Sequence, residues 1–111
     1  MENGKNPCIE IIRYKIPSLA HADFEKAYTE AGEFLKASSY CKAYHIIKGI
    51  DEPDNYIVPI YWTSVEDHVH KFRSDDNFSK FLQFVKPFYS TIQEMKHYQL
   101  PLVHWKMKDD E

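Results

Sequence analysis

The chain has 111 residues, 43% of them apolar and 28% charged, with a formal net charge of −3. That length holds one domain, and that apolar content supports a folded core. The acidic balance, with no run of Lys or Arg, excludes nucleic-acid phosphate as a partner. No stretch approaches the roughly 20 apolar residues a membrane span needs. The start, Met1 to Pro7, is polar and lacks the apolar segment of a signal peptide, so the expected location is cytoplasmic. Cys8 and Cys41 have no CxxC spacing and are expected to be reduced, buried thiols. Eight Tyr, seven Phe and two Trp are many for one small core, so some of them are expected to line a pocket or an interface.

In chain order, residues 1–7 read as a disordered lead. Cys8 to Lys15 is rich in Ile and Tyr and reads as a strand closed by Pro17-Ser18. Arg13, set between apolar neighbours, needs solvent or a carboxylate. From His21 to Lys36, Phe24, Ala27, Tyr28, Ala31, Phe34 and Leu35 recur at helical spacing, with Asp23 and Glu25 suiting the N-terminal dipole. Gly32 costs this helix about 1 kcal/mol relative to Ala and reads as room for close approach to a sheet. Tyr40 to Ile50 is a second strand, 51–55 a turn, and Tyr56 to Trp62 a third strand, giving a hairpin with Pro59 at a local bulge. Thr63-x-x-Glu66 is a capping box, with Ser64-x-x-Asp67 the alternative register. Val65, His68, Val69 and Phe72 then share one helical face.

Ser74 to Asn77 interrupts this helix and caps the next. There Phe78, Phe81, Leu82, Val85, Tyr89 and Ile92 form the buried stripe, and Pro87 kinks or restarts it. Glu94 to Leu100 is a short fourth strand. In the tail, 101–111, Val103, Trp105 and Met107 alternate as in a strand added to a partner subunit. The order β-α-β-β-α-β over residues 8–100 predicts an α+β, ferredoxin-like antiparallel sheet with helices on one face.

The segment from Tyr61 to Arg73 gathers Trp62, His68, His70 and Arg73 at a strand-to-helix corner. His68, on the apolar face, is either a pocket base or hydrogen-bond donor, since imidazole suits proton transfer at neutral pH, or a core histidine bonded to a carbonyl or carboxylate. His97 and Tyr98 are adjacent on the last strand, so one faces the cavity and the other the opposite side. Arg73 either pairs with Asp75 or Asp76 at the helix end or anchors an anionic substrate. Trp62 either stacks on a flat substrate or fills the core. His68-x-His70 does not put two ligands on one helical face, so no metal site is expected. With three Gly in the chain there is no phosphate-cradling loop, and no Ser or Cys stands in a nucleophile motif.

The strand IEIIRY, the run DEPDNYIVPIYW, and TSVEDHVHKFRSDDNFSKF leading to VKPFYSTIQEMKHY together resemble the antibiotic biosynthesis monooxygenase (ABM) family, from about Ile9 to Leu100. The most specific parts are Trp62-x-Ser64, His68-x3-Phe72-Arg73 and Glu94-Met95-Lys96-His97-Tyr98. The resemblance implies a homodimer forming a dimeric α+β barrel, with a pocket between sheet and helices in each subunit. It also implies oxygenation of a small aromatic or quinol-type molecule by O₂ with no metal or organic cofactor. On that reading His68 and His97 are catalytic, and Trp62, Phe72, Arg73 and Tyr98 bind substrate. A non-catalytic dimeric small-molecule binder is the alternative. The haem-degrading branch is disfavoured, because its Asn, Trp and His positions correspond to Ile11 or Ile12, Lys71 and Phe81.

Overall fold

Every second side chain of Cys8–Lys15 is buried, and this strand, β1, lies in the middle of the sheet. The computed structural model describes residues 6–109. After β1 come α1 (His21–Lys36), β2 (Cys41–Tyr44), β3 (Ile47–Lys48), β4 (Asn55–Trp62), α2 (Asp76–Val85) and β5 (Ile92–Gln99). A π-helical turn (Asp67–Lys71) and a 3-10 turn (Phe72–Ser74) lead into α2, and a 3-10 segment (Lys86–Thr91) leads out. The sheet order is β2-β4-β1-β5, with β3 also on β4, and all pairings are antiparallel. This is the predicted ferredoxin-like order, with the second strand divided in two.

The barrel that the family resemblance implies is not formed. The sheet is open, with β2 and β3 along one edge and β5 along the other. Closure around packed side chains takes about eight strands. Here the apolar face is covered by helices instead. Cys8, Ile12 and Tyr14 of β1 and Tyr56, Val58, Ile60 and Trp62 of β4 pack against Phe24, Tyr28, Ala31 and Leu35 of α1 and Phe81 and Val85 of α2. Each large side chain so buried contributes about 1.5–3 kcal/mol. Much of this core is aromatic: the Phe24 ring lies 4.8 Å from Tyr14 and 4.6 Å from Tyr56. The buried hydroxyls of Tyr14 and Tyr28 satisfy each other at 2.7 Å. Arg13, on the other face, finds its carboxylate across the sheet, donating from Nε to Glu94 Oε1 at 3.0 Å.

Pro59 does not bulge its own strand. β4 stays in register with β1 throughout, Pro59 lying opposite Ile11. The irregularity falls in the neighbour, where β2 stops at Tyr44 and β3 starts at Ile47. The Pro59 carbonyl accepts the His45 N–H at 3.2 Å, so its nitrogen points to the same side and has no hydrogen to give there. The predicted strand over 40–50 is split by that missing donor.

A Cβ placed on Gly32 would lie 1.8 Å from the Tyr44 hydroxyl oxygen. Gly32→Ala is therefore expected to lower stability by about 1–2 kcal/mol, overpacking outweighing the gain in helix propensity. Urea unfolding of Gly32→Ala in wild-type and Tyr44→Ala backgrounds checks this. The loss should disappear when the tyrosine is removed.

Cys8 and Cys41 lie on opposite sides of Trp62, each paired with it across the sheet. Two strand spacings put them roughly 10 Å apart, beyond the reach of a disulfide, and both are free thiols. Of the expected N-terminal lead, residues 1–5 lie outside the described residues, as do Asp110 and Glu111. Residues 101–109 form no strand within the subunit, and Leu102, Val103 and Trp105 are 82%, 91% and 81% exposed. Among the described residues no helix is long and apolar enough to cross a membrane.

Candidate active site

The corner after β4 is built by a cap and a widened turn. Ser64, not Thr63, is the cap, its Oγ accepting the Asp67 N–H at 2.9 Å. Thr63 Oγ1 instead donates to the Asp67 carboxylate at 2.6 Å. The Phe72 N–H points at the carbonyls of both Asp67 and His68, which opens the turn from α to π. The wider turn carries Asp67, His68 and Phe72 inward and leaves Val65 44% exposed, where a regular 3.6-residue period places it inside. Buried Asp67 has Lys71 Nζ 3.5 Å from its other oxygen. Ser64→Ala is expected to cost about 1 kcal/mol. The same change should broaden the His68 imidazole resonances, which histidine NMR on the folded variant reads.

A cavity of about 340 Å³ lies between the sheet and the α2 region. Its apolar wall includes Ile12, Ile60, Phe72, Phe81, Leu82 and Met95, and its polar groups are Glu10, Trp62, His68, Arg73 and Tyr89. Glu10, 3% exposed, projects from β1 onto the helical face. Trp62 donates its Nε1–H to Glu10 Oε1 at 3.0 Å. His68 Nε2 lies 3.5 Å from the same oxygen. His68 Nδ1 and His97 Nε2 share a hydrogen bond of 2.8 Å, either ring serving as donor according to tautomer. The His68 ring stacks on the Trp62 indole, with centroids 4.2 Å apart and planes inclined by 12°.

Burial dominates the electrostatics. It raises the Glu10 carboxyl above its ordinary value, against the opposing Trp62 hydrogen bond and Arg73 charge. It drives His68 from 6.5 down to about 3, with help from Arg73 and His97. His97 is lowered for the same first reason and then by Arg73. Tyr89 is raised by burial and by Glu10. Both imidazoles are thus neutral at neutral pH. Arg73 makes no ion pair among the described residues. Asp75, one of its two expected partners, caps α2 instead, accepting the Asn77 N–H at 2.5 Å. Arg73 is solvent-exposed but lines the cavity, and its charge lowers the pKa values of Glu10, His68 and His97.

The structure brings together most of the residues singled out in the sequence. His68, Trp62, Phe72 and Arg73 line the cavity, and His97 reaches it through His68. Trp62 offers no open face, since His68 covers one side and Phe72 packs at 4.8 Å. Its contribution is the N–H that orients Glu10. Tyr98 points to the other side of the sheet, 45% exposed, and its hydroxyl donates to Glu94. Glu10 and Tyr89 were not singled out as site residues. The signal for Glu10 was present, because it shares the parity of Cys8, Ile12 and Tyr14 on the buried side of β1. Of the positions that bear on haem, Ile12 and Phe81 are cavity wall, and Lys71 is exposed. His70 is exposed, and no group of three or more His, Cys, Asp or Glu placed to hold a metal ion occurs among the described residues.

No family model matches the chain. An uncharacterised protein of Bacillus subtilis, YczJ, is 22% identical over 77 residues, which is 69% of this chain and 81% of YczJ. Among solved structures, a Bordetella bronchiseptica protein provisionally described as an antibiotic biosynthesis monooxygenase superposes with a TM-score of 0.76, at 23% identity over 88% of this chain and all of its own. A point mutant of SnoaB, a cofactor-independent oxygenase of Streptomyces nogalater, superposes with a TM-score of 0.71, at 15% identity over 88% of this chain and 96% of its own. The fold is that of the antibiotic biosynthesis monooxygenases. In this ABM fold the cavity lies on the helical side of the sheet, and β1, β4 and β5 meet the π turn at its floor.

Proposed function

We propose that the protein is a cofactor-independent monooxygenase acting on a small aromatic or quinol-type hydroxyl compound held in the cavity beside Glu10 and His68. The observation that carries this reading is a buried carboxyl at the floor of an apolar cavity, oriented by Trp62 and flanked by two neutral imidazoles. The volume falls in the lower part of the roughly 300–1,000 Å³ range of small-molecule sites. The shared fold with SnoaB lends support. An electron-rich aromatic supplies its own electrons once its hydroxyl proton is removed. The anion passes one electron to O₂, and the resulting radical and superoxide join at a hydrogen-bearing ring carbon. The peroxide anion takes up a proton in place of the one removed, and the hydroperoxide loses water to leave a carbonyl. One oxygen atom enters the product and the other leaves as water.

The protein's part is to take the hydroxyl proton, hold the anion and exclude water. Glu10 and His68 serve the first task, with His97 behind them. The unpaired positive charge of Arg73 serves the second, and Phe72 with its apolar neighbours the third. Oxygen uptake by metal-free protein across a panel of phenols and quinols tests this. Uptake that is lost in Glu10→Gln and in folded His68→Ala is the expected result, and none across the panel overturns it. The depressed basicity of His68, about 3, favours a second reading, a non-catalytic binder with the same cavity. Saturable thermal stabilisation by the same compounds without uptake marks that outcome.

The reading includes a homodimer. Ile9, Ile11, Ile57 and Tyr61 are half-buried on the sheet face away from the helices, and the tail 101–109 exposes Leu102, Val103 and Trp105. Such apolar surface suits a second copy of the chain. Light scattering on the full chain and on a chain ending at residue 100 reads the stoichiometry and the share of the tail.

A further inference from the structure

Glu10 and His97 are direct cross-strand neighbours in the β1–β5 register, and both project onto the helical face. His68, arriving from the π turn, touches both. Its Nε2 lies 3.5 Å from Glu10 Oε1, and its Nδ1 lies 2.8 Å from His97 Nε2. Three titratable groups therefore stand in series from the buried floor of the cavity to the half-buried ring on the edge strand β5.

We propose that Glu10, His68 and His97 form one proton-transfer chain, through which a proton taken from the bound ligand at Glu10 leaves the protein at His97. The inference rests on the reading of the cavity as a site where a ligand hydroxyl gives up its proton. The outward direction sets the tautomers. His68 carries its hydrogen on Nδ1 and donates it to the His97 Nε2 lone pair, which leaves the His68 Nε2 lone pair facing Glu10. The ligand O–H bond breaks and a Glu10 O–H bond forms. That proton then passes to His68 Nε2 as the Nδ1 proton of His68 passes to His97 Nε2. His97 gives its own Nδ1 proton to water. The ligand is left as an anion, Glu10 is again a carboxylate, both rings carry their hydrogen on Nε2, and one proton has entered solvent. The proton that the product peroxide takes up returns by the same path and resets both tautomers.

Gain at one nitrogen with loss at the other keeps His68 neutral. That suits a ring too weakly basic to store a proton. The 3.5 Å step closes to hydrogen-bond length when Glu10 becomes a donor, as catalytic contacts commonly tighten on ligation. The other titratable groups around Glu10 are Arg73 and Tyr89, across the cavity, Cys8 and Tyr14 on β1, Tyr28 on α1, whose hydroxyl pairs with that of Tyr14, and Cys41 on β2. None of them joins the hydrogen-bonded series.

Nitrogen NMR of the histidines in the full chain tests the coupling without any substrate. The expected pattern at neutral pH is the Nδ1–H tautomer for both His68 and His97. Glu10→Gln, which removes the acid but keeps an oxygen for the Trp62 N–H, should shift the resonances of both rings. A His97 signal that ignores Glu10→Gln overturns the chain. Should that variant not fold, His97→Gln serves. A tautomer switch at His68 together with a shifted Glu10 carboxyl resonance supports the chain, and no response at Glu10 overturns it.

In turnover, His97→Gln should lower oxygen uptake about a hundredfold, the scale of a lost proton-transfer group. Free imidazole should restore it. A loss that imidazole does not restore marks a merely structural role and overturns the proposal. Coupled histidines in a protein that takes up no oxygen would remove the oxygenase reading and leave the chain standing.

Discussion

Acidification from pH 6.5 towards pH 3 is expected to destabilise the protein, with His68 setting most of the slope. The folded state holds this imidazole at about 3, against 6.5 for the free group, chiefly by burial. Between those values the unfolded chain binds a proton that the folded protein refuses. Stability is therefore unaffected by His68 above 6.5 and falls as the pH drops below it. Each unit of such displacement corresponds to about 1.4 kcal/mol, so the whole window amounts to a few kcal/mol, a large share of the stability of a domain this size. His97, also lowered, adds to the same slope. Glu10 opposes it. Its folded value is raised, so protonation favours the folded state between its ordinary 4.5 and the raised value. His68→Phe keeps a flat ring on Trp62 and removes the titration. Urea unfolding of both proteins between about pH 4 and 7 should show a much flatter profile for the variant. Parallel profiles would mean that the imidazole is protonated in place, paired with Glu10.

Glu10→Gln is expected to make the protein more stable at pH 8 while abolishing the proposed oxygen uptake. Burial is the largest influence on this carboxyl, and it penalises the ionised form. Above the raised pKa, the wild type carries that penalty in full, at about 1.4 kcal/mol per unit of displacement. Glutamine retains an oxygen for the Trp62 Nε1–H and carries no charge. The gain should be absent below pH 4.5, where the free carboxyl is already protonated, and should grow with pH up to the raised value. Thermal unfolding at several pH values measures it. A site residue whose removal stabilises the fold is one kept for function. The opposite result, a loss at pH 8, would show that Arg73 and Trp62 hold the carboxylate strongly enough to outweigh its burial.

The two central strands, β1 and β4, and both helices were legible because each buries one face, and that burial leaves its period in the sequence. The alternation through β1 and the helical spacing of Phe24, Tyr28, Ala31 and Leu35 are examples. That His97 and Tyr98 face opposite ways was legible too. Which of them meets the cavity depends on the β1–β5 register, a long-range pairing that no local pattern encodes. The π turn escaped because a regular period was assumed where one carbonyl accepts from five residues on, and this exchanged Val65 for Asp67 on the inner face. Glu10 escaped for a different reason. A carboxylate in a strand reads as a solvent-facing residue unless its parity is weighed above its charge. The closed barrel was carried over from the resemblance, whereas the hydrogen bonds of the chain build an open sheet.

The two tryptophans occupy opposite environments, Trp62 1% exposed against an imidazole and Trp105 81% exposed on the tail. Their fluorescence is therefore separable. A buried indole emits to the blue and is shielded from iodide, while one in water emits to the red and is quenched. Iodide protection of the red component would report the tail docking onto another molecule. The blue component, dimmed when its stacked imidazole gains a proton, would report the charge state of the cavity in the same cuvette.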